Sequence, residues 1–283
     1  PMKVLVQKAS VLGREFSLDI LSKIEERLGN GRLDNLEEAI SLLVDAQVLI
    51  PKEEASLKGS PGEKTYIFRH AIQQEAAYRT LLHRNRRILH EIAASLLEEK
   101  YAEDIEGHLE LLAFHNENGG NIAKACDYWI RFSEQLNMRG LFKQSNETLE
   151  HATSLIVNLK DSPDTALRIN VQAKIARANT LISLRRHQEA EVLCSEAGAL
   201  ARMHGLQACI SDTERTLGVV LRERHRYLNA EEHFNNSHAI AREISDRRRE
   251  QRALNNLGLL FWELEQYDRA LKMFNAALAV ARE

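Results

Sequence analysis

Residues 251–280 read QRALNNLGLLFWELEQYDRALKMFNAALAV, and the order of small, large and aromatic side chains in this stretch recurs earlier in the chain. A step back by 40 residues keeps each size class, and a second step of 40 keeps the sizes without the aromatic rings. Such recurrence predicts a repeated structural unit. The positions are Leu257, Gly258, Phe261, Tyr267, Ala270, Phe274 and Ala277, then Leu217, Gly218, Leu221, Tyr227, Ala230, Phe234 and Ser237, then Ala178, Leu181, His187, Ala190, Cys194 and Ala197.

Each unit is predicted to be a hairpin of two antiparallel helices. Small residues at Gly258 and Ala270 allow two helices to approach closely. We expect Phe261 and Phe274 to fill the gaps between successive hairpins. A hairpin of this kind cannot bury its own apolar face, so stacking is required for stability.

The pattern resembles the tetratricopeptide repeat, most closely over residues 251–283. The resemblance implies a right-handed α-solenoid over residues 166–283, with a concave face suited to holding another polypeptide. The usual repeat has about 34 residues, so we expect about six extra residues per unit. We place them in the connections at 203–206 and 245–249.

The composition favours a mainly α-helical protein. The chain has 283 residues, of which 44% are hydrophobic, and only four prolines. A formal charge of −3 gives no case for bulk attraction to nucleic acid or to a membrane. The cysteines at 126, 194 and 209 lie within helical patterns, and Cys194 is interpreted as a small core residue in a reducing compartment. No signal peptide or long apolar run is present, so a cytoplasmic location is expected.

Residues 1–95 are predicted to form a winged-helix domain, because three helical runs precede two short runs of β-type residues. The stretch between the two strands is rich in Lys, Glu, Gly, Ser and Pro, as in a hairpin tip. The helices are placed at 4–12, 17–29 and 34–47, the strands at 48–50 and 66–68, and the hairpin tip at 51–65.

From His70 onward the sequence is helical almost without interruption. Two irregular hairpins are expected between residues 105 and 159, within an arm that covers 96–165. Their spacing departs from the later period of 40. The predicted close-packing positions of the arm are Ala125, Trp129, Phe132, Leu149 and Ala152.

Several segments together resemble signal-transduction ATPases with numerous domains, in the region that follows the ATPase core. They are residues 9–16 (ASVLGREF), 68–78 (FRHAIQQEAAY) and 86–90 (RRILH), with LAFH at 112–115, AKA at 123–125 and YW at 128–129. The resemblance covers essentially the whole chain and implies a winged helix followed by a helical sensor arm. In bacteria the group includes large regulators that join a cyclase or kinase, an ATPase and tetratricopeptide repeats.

The resemblance assigns a role to His70. In that family a histidine after the last winged-helix strand touches the β-phosphate of ADP held by the neighbouring ATPase domain. It thereby keeps the molecule closed. Relatives with Met-His-Asp have an acid where this chain has Ala71. An imidazole at a helix N-terminus can donate to a phosphate oxygen, although a histidine that only caps or packs the junction is the alternative. ADP or ATP would thus belong to the parent protein, and no cofactor is expected in this chain.

The chain itself is not expected to be an enzyme, because no catalytic motif is present. No Gly-x-x-x-x-Gly-Lys-Ser/Thr occurs, and residues 59–65 (GSPGEKT) are interpreted as the hairpin tip. No His-Glu-x-x-His occurs either. His108 and His115 are seven residues apart without a nearby cysteine, as are His83 and His90, so no metal site is predicted.

DNA binding by the winged helix is the main competing interpretation of residues 1–95. A recognition helix should carry Arg, Lys, Asn or Gln. The 34–47 helix instead carries Asp34, Glu37, Glu38 and Asp45 and has no Lys or Arg, which would repel a phosphate backbone. No DNA partner is therefore predicted.

The first helix of each hairpin is expected to line the concave face. Asparagines there can donate to and accept from a peptide backbone, and arginines attract carboxylates. Contact with a neighbouring domain of the same protein is an equally open interpretation of these positions. The candidate peptide-binding residues are Asn179, Arg215, Arg222, Arg252, Asn255, Asn256 and Trp262, with Val219 and Leu259 beside them.

The sequence thus favours the regulatory sensor segment of a signalling ATPase, whose repeats bind a protein or peptide and whose winged helix contacts the ATPase domain. The alternatives are a stand-alone adaptor that bridges partners without nucleotide dependence, and a transcription regulator. The last helix carries Leu278 and Val280 without a polar closing helix. We therefore expect further repeats or self-association through the C-terminal repeat.

Overall fold

The computed structural model describes residues 2–29, 36–52, 64–159 and 163–282. The chain divides into two compact units, Pro1–Tyr128 and Trp129–Glu283, which we call the N-terminal unit and the repeat unit. The predicted start of the third helix at Asp34 lies outside the described residues, and so does most of the predicted hairpin tip at 51–65.

The N-terminal unit begins with three helices and a small antiparallel sheet. The strand order is β1-β3-β2, with Phe16 opposite Tyr66 and Ile50 opposite Ile67. Ser17 is the N-cap of the second helix and accepts a hydrogen bond from the Ile20 amide at 3.5 Å. The elements are α1 Met2–Val11, β1 Glu15–Ser17, α2 Leu18–Arg27, α3 Leu36–Asp45, β2 Leu49–Lys52 and β3 Thr65–Phe68.

Strand β1 was not predicted from the sequence, which assigned Phe16 to the entry of the second helix. Three residues are too few to show an alternation of polar and apolar side chains. The strand exists because Phe16 packs against the buried Phe68, with ring centroids 5.8 Å apart. A buried ion pair between Lys8 of α1 and Glu25 of α2, 2.6 Å long, links the first two helices.

The N-terminal unit continues with helices that pack on those first elements. Residue 95, where the sequence placed a domain boundary, lies inside α5, and Arg27 of α2 donates to Ser95 at 2.9 Å and to Glu99 at 2.6 Å. The division between the compact units falls within α7. The helices are α4 Ala71–Arg79, α5 His83–Lys100, α6 Leu109–Gly119 and α7 Ile122–Met138.

The repeat unit consists of antiparallel helices, and the helices α10 to α13 are each 17 residues long. Starting with α10, a new helix begins every 20 residues. The helices are α8 Phe142–Leu155, α9 Pro163–Ser183, α10 His187–Met203, α11 Gln207–Glu223, α12 Tyr227–Glu243, α13 Arg247–Glu263 and α14 Tyr267–Arg282.

Three-residue turns join the helices from α9 to α14, and each turn has a residue with left-handed backbone angles at the helix end. The next residue donates back into the helix, as when Arg226 N–H donates to Leu221 O at 2.8 Å. This is the hydrogen bond of a Schellman helix end. The left-handed residues are Arg185, Gly205, His225, Ser245 and Glu265, with φ of 60°, 64°, 57°, 56° and 58°.

The prediction that the connections hold the extra residues of each repeat is therefore wrong. The turns within hairpins and between hairpins are equally short. The excess of about six residues over the usual repeat lies in the two helices of each hairpin. Each helix is thus longer by almost one turn, which widens the faces that the hairpins present.

Close approach at the predicted small residues is confirmed. A Cβ atom added to Gly218 would lie 2.5 Å from the Phe234 ring, and one added to Gly258 would lie 2.5 Å from the Phe274 ring. Phe274 therefore fills space within its own hairpin, not between hairpins as expected. Phe261 does join hairpins, because it shares a buried cluster with Phe234.

Within the irregular arm the close-packing prediction holds only in part. Leu149 and Ala152 are fully buried, whereas Trp129 and Phe132 are half-buried. Ser133, the residue after Phe132, is fully buried, and its carbonyl oxygen accepts a hydrogen bond from Ser145 Oγ at 3.0 Å. A small polar residue can take this position because its hydroxyl donates to the Ile130 carbonyl oxygen of the same helix at 2.6 Å. Ala125, in the N-terminal unit, is also fully buried.

Candidate peptide-binding face

The first helices of successive hairpins, α9, α11 and α13, contact one another side by side. Among the described residues no comparable contact joins α10 to α12 or α12 to α14. Each second helix, α10 or α12, contacts the first helix of the next hairpin, but the second helices do not contact one another comparably, so successive hairpins are packed more closely on the side of their first helices. The face formed by α9, α11 and α13, here called the inner face, is therefore the concave one.

Thr216 of α11 connects two of the predicted binding residues on the inner face. Its hydroxyl donates to the Asp212 carbonyl oxygen at 2.9 Å and accepts from Arg215 Nη2 at 3.1 Å, and it lies 3.4 Å from Asn179 Oδ1 of α9. Arg215 Nε is buried and has no hydrogen-bond partner among the described residues. Burial lowers the pKa of Arg215. Arg215 therefore retains unused hydrogen-bonding capacity.

Arg222, the second predicted arginine of α11, is engaged in ion pairs. Its guanidinium lies 3.0 Å from Glu223 and 3.4 Å from Glu263 of α13. Glu223 also binds Arg185 at 2.8 Å. The hydrogen bond from Arg222 lowers the pKa of Glu223, opposed by partial burial. The charge of Arg222 is thus balanced within the repeat unit.

The predicted residues on α13 are the most accessible. Arg252, Asn255 and Trp262 are exposed, and the Trp262 side chain is 60% exposed. Asn256 Nδ2 donates to the Arg252 carbonyl oxygen at 2.8 Å, so its amide nitrogen is already used within the helix. Asn255 and Asn256 therefore differ, and Asn255 is the more available for a peptide backbone.

Two polar features next to the inner face were not found by sequence reasoning. Asp212 Oδ2 accepts from both Nε and Nη2 of Arg249, at 3.0 and 2.8 Å. Asn137 Nδ2 donates to Thr180 Oγ1 at 2.9 Å, while Asn137 Oδ1 is buried without a hydrogen-bond partner in the described part of the chain. The repeat template gave no signal for either, because both depend on partners in other helices.

His70, the candidate nucleotide-contacting residue, is exposed in the N-terminal unit. It is the N-cap residue of α4, and its backbone N–H donates to Gln73 Oε1 at 3.3 Å. No residue of α4 is buried, and the Ile72 side chain is 73% exposed. The imidazole at this helix N-terminus is accessible to an anion.

A buried histidine pair lies elsewhere in the N-terminal unit, although sequence spacing had paired these residues differently. His90 Nδ1 lies 3.1 Å from His115 Nδ1, and Tyr78 Oη lies 3.0 Å from His90 Nε2. Burial lowers the pKa of His90 to about 4 and that of His115 to about 3. Both imidazoles are therefore neutral near pH 7 and act as packed hydrogen-bonding groups.

A search of the described residues for clusters of three or more His, Cys, Asp or Glu side chains that could hold a metal ion finds none. The three cysteines are free and buried, and burial raises the pKa of Cys194 to about 12. No helix in the described part of the chain is both long and apolar enough to cross a membrane.

Comparison with known proteins supports the repeat architecture. The tetratricopeptide repeat family matches residues 209–283. An uncharacterized protein of Rhizobium meliloti is 24% identical over 181 residues, which are 63% of this chain and 16% of that protein. The chain thus spans a small part of the length of this curated relative.

One solved structure is similar in fold to this chain over nearly its whole length. Aspartyl phosphate phosphatase F from Bacillus subtilis is similar over 99% of this chain and 74% of its own, with a TM-score of 0.54 and 10% identity. A signal transduction ATPase with numerous domains from Pyrococcus horikoshii, which has a tetratricopeptide repeat sensor, covers 99% of this chain and 44% of its own. Its TM-score is 0.44 and its identity is 13%. The chain is thus a mainly helical protein with tetratricopeptide-type repeats.

Proposed function

We propose that the repeat unit binds a protein or peptide on its inner face and serves as the sensor of a signalling ATPase. The observation that carries this proposal is the concentration of accessible binding groups on α13. Arg252, Asn255, Leu259 and Trp262 are exposed there, next to the half-buried Arg215 of α11. A concave row of helices with such groups can hold an extended segment by its backbone and by its side chains.

The N-terminal unit is proposed to transmit binding to the ATPase domain of the same protein. The order of helices and strands from α1 to β3 suits a winged helix. We retain as proposed domains of the chain the winged helix at 1–95, the irregular arm at 96–165 and the repeats at 166–283. His70 and the exposed face of α4 are the proposed contact, with His70 donating to ADP or ATP phosphate held by the ATPase domain. An exposed imidazole at a helix N-terminus fits an anionic group.

Trp262 provides the test of binding, because the chain has only one other tryptophan, Trp129. A W129F variant makes Trp262 the single fluorescent reporter on the inner face. Short random-sequence peptides displayed on phage would be selected on the immobilised chain. We expect the selected peptides to change Trp262 emission and to bind W262A more weakly. Peptides that bind both variants equally without changing the emission would contradict the inner face as the binding site.

The coupling to nucleotide is tested in the full-length gene product. His70→Ala is expected to accelerate ADP release, and His83→Ala provides a matched control, since His83 is also exposed in the N-terminal unit. Equal ADP release in the two variants would contradict a role for His70. Peptide binding that is independent of nucleotide in the full-length protein would favour the stand-alone adaptor.

A further inference from the structure

Helix α4, which has His70 as its N-cap, is held in place by polar contacts. None of the residues of α4, all of which the structure describes, is buried. Gln74 Nε2 donates to the Ser10 carbonyl oxygen of α1 at 2.7 Å, and Tyr78 Oη lies 3.0 Å from His90 Nε2 of α5. A helix without a buried apolar side chain shifts and opens more readily than one packed into a core. The position of α4, and of His70 with it, therefore depends on such hydrogen bonds.

The contact at Tyr78 continues into the interior of the N-terminal unit. His90 Nδ1 lies 3.1 Å from Nδ1 of His115, which belongs to α6. Both imidazoles are fully buried, and their ring centroids are 5.0 Å apart. Tyr78, His90 and His115 thus form a continuous row of hydrogen-bonding groups, here called the Tyr-His-His link. It joins α4 through α5 to α6.

The two hydrogen bonds of His90 depend on each other. Burial lowers the pKa of both histidines, so each imidazole is neutral near pH 7 and has one N–H group and one acceptor nitrogen. His90 either accepts from the Tyr78 hydroxyl and donates to His115, or accepts from His115 and donates to Tyr78. In both arrangements one bond polarises the other, and the loss of either leaves a buried nitrogen of His90 unpaired. A change at His115 therefore affects the bond that holds Tyr78.

Tyr78 lies at the opposite end of α4 from His70. The two residues are eight positions apart, which is about 12 Å along a helix axis. A second contact from α5 holds the Tyr78 ring, because the Arg86 guanidinium lies over it at 5.1 Å from the ring centroid. Arg86 Nε also donates to the Leu81 carbonyl oxygen at 3.0 Å. A short helix moves as one hydrogen-bonded unit, so a shift of Tyr78 also shifts His70.

We propose that Tyr78 is a positioning residue for His70 and that the Tyr-His-His link transmits the position of α6 to α4. Helix α6 lies in the proposed arm at 96–165. When α6 moves relative to α5, the bond between His115 and His90 is lost, and α4 is released from its anchor at Tyr78. His70 then leaves the position from which it contacts the nucleotide. This inference rests on the proposed function for the role of His70 and adds the residues that control its position.

Hydrogen exchange of the α4 backbone amides tests the anchor without nucleotide. Y78F removes the hydroxyl group and keeps the ring under Arg86. We expect the amides of residues 75–79 to exchange about tenfold faster in this variant, because one hydrogen bond that restrains α4 is lost. Y66F is the matched control, since the Tyr66 hydroxyl of β3 forms no hydrogen bond in the described part of the chain. Unchanged exchange in Y78F, or an equal increase in Y66F, would overturn the anchor.

Variants of His115 test transmission, because His115 belongs to α6. H115L removes the bond to His90, whereas H115N places an amide group near the Nδ1 position that can donate or accept. We expect H115L to accelerate exchange of the α4 amides about as much as Y78F, and H115N to restore slow exchange. The double variant Y78F/H115L should exchange no faster than Y78F, since both bonds belong to one link. Multiplied effects in the double variant, or an increase confined to α5 and α6 in H115L, would overturn transmission.

ADP release from the full-length gene product separates this inference from the proposed function, and it remains decisive if H115L does not fold. We expect Y78F to accelerate ADP release, and Y78F combined with His70→Ala to be no faster than His70→Ala alone, because Tyr78 acts through His70. Acceleration by His70→Ala without any by Y78F would overturn the positioning role and leave the proposed function intact. Faster exchange of α4 in Y78F with unchanged ADP release in both variants would overturn the proposed role of His70 and leave the link between α6 and α4 standing.

Discussion

The repeat unit and the N-terminal unit are stabilised in different ways. In the repeat unit one contact recurs, since Gly218 lies against Phe234 and Gly258 against Phe274. The N-terminal unit instead depends on contacts made once, such as the buried His90 and His115 pair and the Lys8 to Glu25 ion pair. Repeats distribute stability over equivalent interfaces, whereas a single buried polar contact has no substitute in its unit. The two units should therefore respond differently to the same perturbation.

Acidification is expected to produce the largest difference between the units. His90 and His115 have folded pKa values of about 4 and about 3, below the unfolded value of about 6.5. At a pH between the folded and unfolded pKa values, the unfolded chain therefore binds more protons than the folded chain. The N-terminal unit should lose about 2 kcal/mol per histidine between about pH 7 and about pH 5.

Hydrogen exchange measured by mass spectrometry would report the loss of stability separately for the N-terminal unit and the repeat unit. The repeat unit should be less affected over the same range, because the pKa of its buried Glu214 is lowered by His233 and Arg202, against the effect of burial. The contribution of ionised Glu214 to the free energy of unfolding is therefore lost only below its unfolded pKa of about 4.5. A His90→Phe variant should show a flatter pH dependence in the N-terminal unit. Equal acid sensitivity of both units would contradict the comparison.

Filling the close approach at Gly218 is expected to have the next largest effect. A Gly218→Ala methyl group would lie 2.5 Å from the fully buried Phe234 ring, and such overpacking costs about 2 kcal/mol. Urea unfolding followed by circular dichroism would measure the loss. The preceding hairpin has Ala178 and Cys194 at these positions. The double variant G218A/F234C should therefore lose less than the sum of its single variants, and simple additivity would contradict the contact.

The smallest effect is expected at a helix end of the repeat unit. Ser245 has a left-handed φ of 56°, which strains any residue with a Cβ atom. Ser245→Gly should therefore raise the free energy of unfolding by about 0.5 kcal/mol, after the entropy cost of glycine in the unfolded chain. Ser245→Ala is the matched control and should give no gain. An equal urea midpoint for the two variants would contradict the role of the backbone angle.

The sequence predicted the repeat unit well because its signal is local. Spacing within a helix determines which side chains share a face, so Gly258, Ala270 and Phe261 could be assigned to packing without a structure. The length of the helices could not be read in the same way. The turns at 204–206 and 244–246 contain ordinary residues such as Ser245, and only the backbone showed that the flanking helices continue up to them.

The candidate site was predicted only as a row of residues. Arg215, Arg222 and Arg252 are equivalent in a sequence, since each lies on the expected face. The structure separates them, because Glu223 and Glu263 pair with Arg222, whereas the described residues show no carboxylate bonded to the other two. Part of this difference depends on a partner in another helix, as with Arg222 and Glu263 or with Arg249 and Asp212, and no periodicity encodes such pairs.

The sequence by itself determined the period of 40 residues, the helical character of the chain and the small residues that permit close packing. These features follow from helix geometry, which converts spacing along the chain into position around an axis. Only the tertiary structure decided that Phe16 pairs with Tyr66, that His90 meets His115 and that Arg222 meets Glu263. Those contacts join distant segments, and their geometry is set by how whole helices and strands pack against one another.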